Sequence, residues 1–114
     1  MKDSKNLELV EGTAEVANGI TVSHTGGHNR GHQIVMLQSA GQTALHLADL
    51  LPTHAHVNPL WVMAYDNHPL DAIEQKELWE ARGMHQNSWF TSYHDSYILA
   101  CRFDEKGDIT DKWV

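Results

Sequence analysis

The sequence contains a single cysteine, Cys101, and only three prolines in 114 residues. One cysteine excludes an internal disulfide and predicts a reducing compartment. No hydrophobic run approaches the roughly 20 residues that a membrane-spanning helix needs. Residues 1–6 are polar and lack the apolar segment of a secretory signal. We therefore expect a cytoplasmic, soluble chain.

Basic residues are also scarce. Eight lysines and arginines stand against 15 aspartates and glutamates, so the formal net charge is −7 with histidine neutral. Nucleic acids and anionic membranes are bound through basic surfaces, and we expect neither as a partner. A hydrophobic fraction of 41% and a charged fraction of 20% are typical of a folded globular chain. We predict that residues 1–114 form one domain with a modest core.

Short apolar segments separated by turn signals predict strands in the first half. The candidates are Leu7–Val10, Thr13–Val16, Ile20–Ser23, Gln33–Gln38 and Thr43–Ala48. The dipeptides at 18–19 and 41–42 are turn signals of the kind that join antiparallel hairpins. Residues 52–59 begin and end with proline and predict an irregular loop.

The second half contains one clear helical pattern, from Pro69 to Met84. Asp66 and Asn67 can cap this helix, and proline is tolerated in its first turn. Its predicted apolar face comprises Ile73, Leu78, Ala81 and Met84. Two further strands are predicted at Ser88–Tyr93 and Tyr97–Phe103. These elements predict an α+β fold, in which one mainly antiparallel sheet spans Gly12–Phe103 and the helix packs on one face.

Nine histidines are present, and histidine is the commonest metal ligand. His28 and His32 lie in the glycine-rich segment 25–32, where glycine lets the backbone approach an ion closely. The spacing leaves an ordinary turn with exposed histidines equally open, because the sequence has no closed zinc motif of the Cys/His type. No context distinguishes four others from surface or core histidines: His24, His46, His68 and His85.

Asp49 follows a predicted strand and has apolar neighbours. An unpaired carboxylate is costly to bury there, so it either binds a partner or a metal ion, or it forms a turn at the strand end. His94 and Asp95 lie between two predicted strands, a position typical both of functional loops and of ordinary turns. Asp95 is a candidate to orient a histidine, although adjacent residues rarely face each other.

The 52–59 loop carries a histidine pair, His54 and His56. In an extended segment, residues two apart lie on the same side. The spacing therefore allows a two-histidine site at this loop.

Three of these segments together resemble the metal motifs of the metallo-β-lactamase superfamily. The run HTGGHNRGHQ at 24–33 resembles the family's third motif, T-P-G-H-T-x-G-H-Q, with His28 at the ligand position. The run LADLLPT at 47–53 resembles the fourth, whose aspartate bridges two metal ions, here Asp49. The run FTSYHD at 90–95 resembles the last, with His94 at the position that binds the second ion. The stretch from 56 to 66 is similar to lactonase-like members, and the whole match runs from about Leu7 to Cys101.

The resemblance implies a zinc-dependent hydrolase with a two-metal site and a small-molecule substrate. It also implies one half of the family's αβ/βα sandwich, the C-terminal half. The first motif, H-x-H-x-D-H, which supplies most ligands and the acid–base carboxylate, is absent from this sequence. In this setting we expect His32 and His56 to act beside the metal ligands or on the substrate side.

Several functions follow from these observations. One is a truncated hydrolase, acting on ester, lactone or similar bonds only when an N-terminal half complements it. A second is a non-catalytic remnant or partner-binding half-domain, and a third is an unrelated histidine-lined binding protein. A half-sandwich leaves one sheet face without cover, so we also expect self-association or binding of a complementing half.

Overall fold

A computed structural model describes residues 6–114. Over this range one mixed sheet has the strand order β1-β2-β3-β4-β5-β6-β7. The strands are β1 (Thr13–Ala17), β2 (Ile20–His24), β3 (Gln33–Ser39), β4 (Gln42–His46), β5 (Trp89–Thr91), β6 (Ala100–Phe103) and β7 (Ile109–Trp113). One α-helix, α1 (Pro69–His85), connects β4 to β5, and two short 3-10 turns cover Ala48–Leu50 and His54–Val57. The predicted α+β class and the mainly antiparallel sheet are confirmed.

The element boundaries show where local sequence was misleading. The helix ends one residue later than predicted, and β4 ends at His46 because the next residues form a 3-10 turn. The segment Leu7–Val10 is not a strand. Strand β7 was not predicted. All its residues are exposed, and its sequence has no clear apolar face that would indicate a strand.

The core lies between α1 and one face of the sheet. Its main side chains come from β3 to β6 and from the turn after β4: Ile34, Leu45, Leu47, Leu50, Leu51, Phe90, Cys101 and Phe103. The predicted helix face was wrong in part, because Leu78 and Ala81 are exposed. The helix instead buries Ala72, Lys76, Trp79, Glu80 and Gly83. Apart from Trp79, these buried positions hold small residues or long charged ones, which hydrophobic periodicity does not detect.

Lys76 can lie on this buried face because its ammonium group donates hydrogen bonds to backbone carbonyl oxygens at the edge of the core. Its Nζ donates hydrogen bonds to the backbone carbonyls of Asn58, at 3.1 Å, and Trp61, at 2.8 Å. These bonds attach the segment after the second 3-10 turn to the helix. A charged side chain, and not an apolar contact, thus connects this segment to the helix.

The sheet face opposite α1 is apolar in part and only partly covered. Strand pairing places the side chains of Val22, Val35, Leu37 and Ala44 on it, and Leu37 is 40% exposed. Such a face fits the expected partner surface, and self-association remains a prediction. No helix within residues 6–114 is long and apolar enough to cross a membrane.

Glu80 should make folding stability depend on pH. Its side chain is 3% exposed, and burial raises its pKa to about 8, although the Lys76 ammonium opposes the shift. Between pH 4.5 and 8 the folded state retains a proton that the unfolded state has released. Stability should therefore fall as pH rises through this range, by at most about 1.4 kcal/mol per pH unit from this group.

The measurement is urea unfolding of the wild type and of Glu80→Gln at several pH values from 5 to 8. We expect the variant to lose this part of the slope and to be the more stable protein at pH 8. Glu77→Gln is the matched control, because Glu77 is exposed on the same helix. Parallel stability curves for the wild type and Glu80→Gln would contradict the prediction.

Candidate metal centre

Strand pairing brings three loops to one edge of the sheet. β4 and β5 are parallel, with His46 opposite Thr91, so both strands end at the same edge. Asp49 and His94 each lie three residues beyond these ends. β3 runs antiparallel to β4, and its start, preceded by the loop that carries His28, is therefore at this edge as well.

The structure brings the three predicted ligands together. His28 Nε2 lies 3.3 Å from Asp49 Oδ2, and His94 Nε2 lies 3.2 Å from Asp49 Oδ1. Each carboxylate oxygen therefore faces one imidazole nitrogen. Residues separated by up to 66 positions in the sequence meet at a single carboxylate.

Asp66 sets the orientation of His28. The Nδ1–H of His28 donates to Asp66 Oδ1 at 2.7 Å, and the carboxylate is 3% exposed. Its other oxygen accepts a hydrogen bond from the backbone N–H of Met63 at 3.0 Å. Because Nδ1 donates in this bond, Nε2 is the ring nitrogen that faces Asp49. A carboxylate on the second ring nitrogen is the usual partner of a metal-binding histidine.

Sequence reasoning missed this role. Asp66 was predicted to cap α1, but His68 occupies the capping position and no side chain caps the helix. The available signal was chemical, because a metal-binding histidine donates its other ring N–H to a carboxylate, a backbone carbonyl or water. Local sequence could not identify Asp66 as the partner of His28, since the two residues lie 38 positions apart.

His32 is buried behind the centre. Its Nε2 accepts a hydrogen bond from the backbone N–H of Asp49 at 3.2 Å, so its Nδ1 carries the proton that bonds Thr25 Oγ1 at 2.6 Å. Burial lowers the pKa of His32, and the electrostatic effect of nearby His28 lowers it further. A neutral His32 therefore holds the backbone of Asp49, and its role beside the metal ligands stays a prediction.

The two histidines of the 52–59 loop have separate partners. They lie on a 3-10 turn and not on an extended segment, so the premise of the two-histidine site was wrong. His56 bonds Thr53 Oγ1 at 2.8 Å, and its pKa is lowered by burial and then by Lys76. Among residues 6–114 no hydrogen bond or ion pair links His56 to the three predicted ligands, and its substrate-side role stays a prediction.

His54 pairs with Asp95, at 2.5 Å between Nδ1 and Oδ2. Burial alone would raise the pKa of Asp95. Hydrogen bonds from His54, Tyr97 and Ile98 outweigh it and hold that pKa well below its usual range. The histidine that Asp95 orients is therefore not the adjacent His94.

Tyr93 covers one side of the centre. Its ring centroid lies 4.1 Å from that of His94 and 5.2 Å from that of His46. The pKa of its hydroxyl is raised to about 12 by burial and then by a hydrogen bond to the Asp49 carboxylate. It therefore stays a neutral donor near the shared carboxylate.

The distances fit a pair of ions that share Asp49. Zinc bonds to nitrogen and oxygen of about 2.0–2.2 Å place two tetrahedral ligands about 3.3–3.6 Å apart, close to the two separations at Asp49. Within residues 6–114 no group of three or more His, Cys, Asp or Glu side chains is arranged to hold one ion. The geometry accordingly fits two ligands for each of two ions, and not a complete site for either.

Comparison with known proteins gives solved structures only. No family model and no curated protein sequence matches the chain. A probable metal-dependent hydrolase from Staphylococcus aureus superposes with a TM-score of 0.90 and 39% identity, over 94% of this chain and 39% of that one. AidC, a dizinc quorum-quenching lactonase, superposes with a TM-score of 0.72 and 13% identity, over 88% of this chain and 35% of that one.

A hydrolase of the β-lactamase superfamily, AbOPH, gives a TM-score of 0.70 and 20% identity, over 86% of this chain and 35% of that one. The present chain thus spans less than two fifths of the length of each of these three structures. Nearly all of it superposes on them, as expected for one half of the sandwich. The chain therefore shares its fold with part of each of these hydrolases, one of which is a β-lactamase-superfamily hydrolase, and its three motifs resemble those of the metallo-β-lactamase superfamily.

Proposed function

We propose that this chain provides the half of a zinc-dependent hydrolase that carries His28, Asp49 and His94. It acts on ester, lactone or similar bonds once a complementing N-terminal half, in the same or a separate polypeptide, supplies the other ligands. The observation that carries the proposal is the position of Asp49, whose two oxygens face two imidazole nitrogens at 3.2 and 3.3 Å. An imidazole nitrogen at this distance from a carboxylate oxygen either donates an N–H to it or binds a cation together with it, and the proposal takes the second arrangement.

Each residue has a distinct part in this proposal. Asp49 would hold both ions, and His28 and His94 would each hold one. Asp66 fixes the ring of His28, and His32 fixes the backbone of Asp49. Bound zinc supplies an acidified water and polarises a carbonyl or phosphoryl oxygen. The acid–base carboxylate comes from the complementing half.

The substrate class is proposed from the solved relatives. AidC and an N-acyl homoserine lactone hydrolase were each solved with N-hexanoyl-L-homoserine as product, in the latter at its catalytic metal centre. These proteins share 13% and 21% identity with this chain. They therefore support a small lactone or ester without identifying one.

A non-catalytic remnant is the second candidate. The observation in its favour is that residues 6–114 offer each ion two ligands, whereas a catalytic zinc ion normally has three protein ligands. The unrelated histidine-lined protein is disfavoured, because the three predicted ligands converge as the family motifs require.

Zinc titration of the purified chain by calorimetry tests the proposal. We expect weak but specific binding, and His28→Ala should weaken it by at least about tenfold, because one of two ligands to that ion is lost. His85→Ala is the matched control for binding by surface histidines, since His85 is exposed in the last turn of α1. Equal affinity in the wild type, His28→Ala and His85→Ala would reject a metal centre at Asp49.

A further inference from the structure

We propose that Asp95 and His54 form a bridge that fixes the spacing between Asp49 and His94, and that this bridge sets the metal affinity without binding metal. The inference rests on the proposed function, because it concerns the same two ligands. It assigns a positioning role to two residues that are not among the three predicted ligands.

The bridge lies where sheet pairing has ended. β4 and β5 pair as far as His46 and Thr91, but Asp49 and His94 lie three residues further along their loops. Beyond the strand ends, no ladder of sheet hydrogen bonds holds the two loops at a fixed distance. Another set of contacts must do so if the ligand atoms are to stay about 3.2 Å apart.

Four hydrogen bonds join the two loops there. Ser92 Oγ donates to the carbonyl of Leu51 at 3.4 Å, and the backbone N–H of His94 donates to the carbonyl of Pro52 at 3.2 Å. The other two converge on Asp95 Oδ2, from the backbone N–H of His54 at 2.9 Å and from its Nδ1–H at 2.5 Å. Asp95 thus accepts the shorter pair.

The Asp95 carboxylate is saturated and is therefore unsuited to hold an ion itself. Its second oxygen accepts the backbone N–H groups of Tyr97, at 2.9 Å, and Ile98, at 3.0 Å. The side chain is 2% exposed. One carboxylate thus anchors both the turn after His94 and the start of the 3-10 turn that follows Asp49. Bonds to a buried charged group are among the stronger hydrogen bonds in proteins.

Asp95→Asn is the direct test. It preserves the shape of the side chain but leaves one oxygen acceptor in place of two. If this oxygen accepts from Tyr97 and Ile98, the NH₂ group faces the two N–H donors of His54. If it accepts from His54 instead, the N–H groups of Tyr97 and Ile98 lose their acceptor. We expect Co²⁺ and Zn²⁺ affinity to fall by about 10–100-fold, the usual effect of removing a group that orients ligands. The d–d absorption of the Co²⁺ form should also change, because this absorption depends on the positions of the ligands Asp49 and His94 around the ion.

Asp104→Asn is the matched control. Asp104 also accepts two backbone N–H groups, from Lys106 and Asp108, but it does so in the β6–β7 turn. It should leave metal affinity and the Co²⁺ spectrum unchanged. His54→Ala is the second variant, which removes only the ring bond and should weaken metal binding in the same direction. All titrations are made where circular dichroism shows the metal-free variants folded.

Wild-type affinity and an unchanged spectrum in folded Asp95→Asn would overturn the inference, as would equal losses in Asp95→Asn and Asp104→Asn. If Asp95→Asn does not fold, His54→Ala decides, and unchanged binding in it overturns the inference. If His28→Ala abolishes metal binding and the bridge variants leave it intact, only the bridge is rejected. Failure of the wild type to bind Co²⁺ or Zn²⁺ would overturn both this inference and the proposed function.

Discussion

Loaded with zinc, the chain alone should hydrolyse lactones and esters with no turnover above that of zinc in buffer. Residues 6–114 would provide two ligands per ion in the proposed site, and the H-x-H-x-D-H motif that carries the acid–base carboxylate is absent from the sequence. A catalytic zinc ion normally has three protein ligands and an open position. Relative to ordinary enzymes, with kcat of about 1–10³ per second, we expect a deficit of at least about a thousandfold.

The decisive assay compares the chain alone with the chain mixed with an N-terminal half from a related hydrolase. Complementation should restore turnover, because it supplies ligands and covers the open sheet face. His28→Ala in the mixture should abolish the restored activity. A kcat of ordinary enzymatic size from the chain alone, lost in His28→Ala, would show that this half-site is sufficient.

Replacing Gly27 with alanine should destabilise the fold and displace His28. Gly27 has a φ of +86°, and a Cβ added there would lie 2.8 Å from Cα and 2.9 Å from N of Ala72 in α1. A strained backbone costs about 1–3 kcal/mol, and overpacking adds about 1–3 kcal/mol. We therefore expect a loss of about 2–6 kcal/mol in the free energy of unfolding.

Gly12→Ala is the matched control, because Gly12 has a φ of +64° with no atom within 4 Å of an added Cβ. It should carry the backbone cost alone, about 1 kcal/mol. Urea unfolding without metal measures both variants. Equal, small losses would show that the loop moves away from α1 without difficulty, and would end the view that this close approach positions His28.

Local patterns in the sequence were enough for the hairpins and the helix. The turn dipeptide at 18–19 lies between β1 and β2, and the one at 41–42 spans the start of β4. The 3.6-residue period predicted the end of α1 within one residue. These signals depend on neighbours a few positions apart. They failed where a buried position is polar, as at Lys76 and Glu80, because burial there depends on partners that are distant in the sequence.

The sequence by itself determined the ligand residue types, their order and their likeness to three metal motifs. Only the tertiary structure decided that His28, Asp49 and His94 meet, that Asp66 orients the first and that Asp95 turns to His54 instead of its neighbour. The physical reason is that an imidazole or carboxylate satisfies its hydrogen-bonding groups with whichever donor or acceptor the fold places within about 3 Å. Here the parallel pairing of β4 with β5 brings the loops of Asp49 and His94 together. This pairing is a long-range contact that no local sequence pattern encodes.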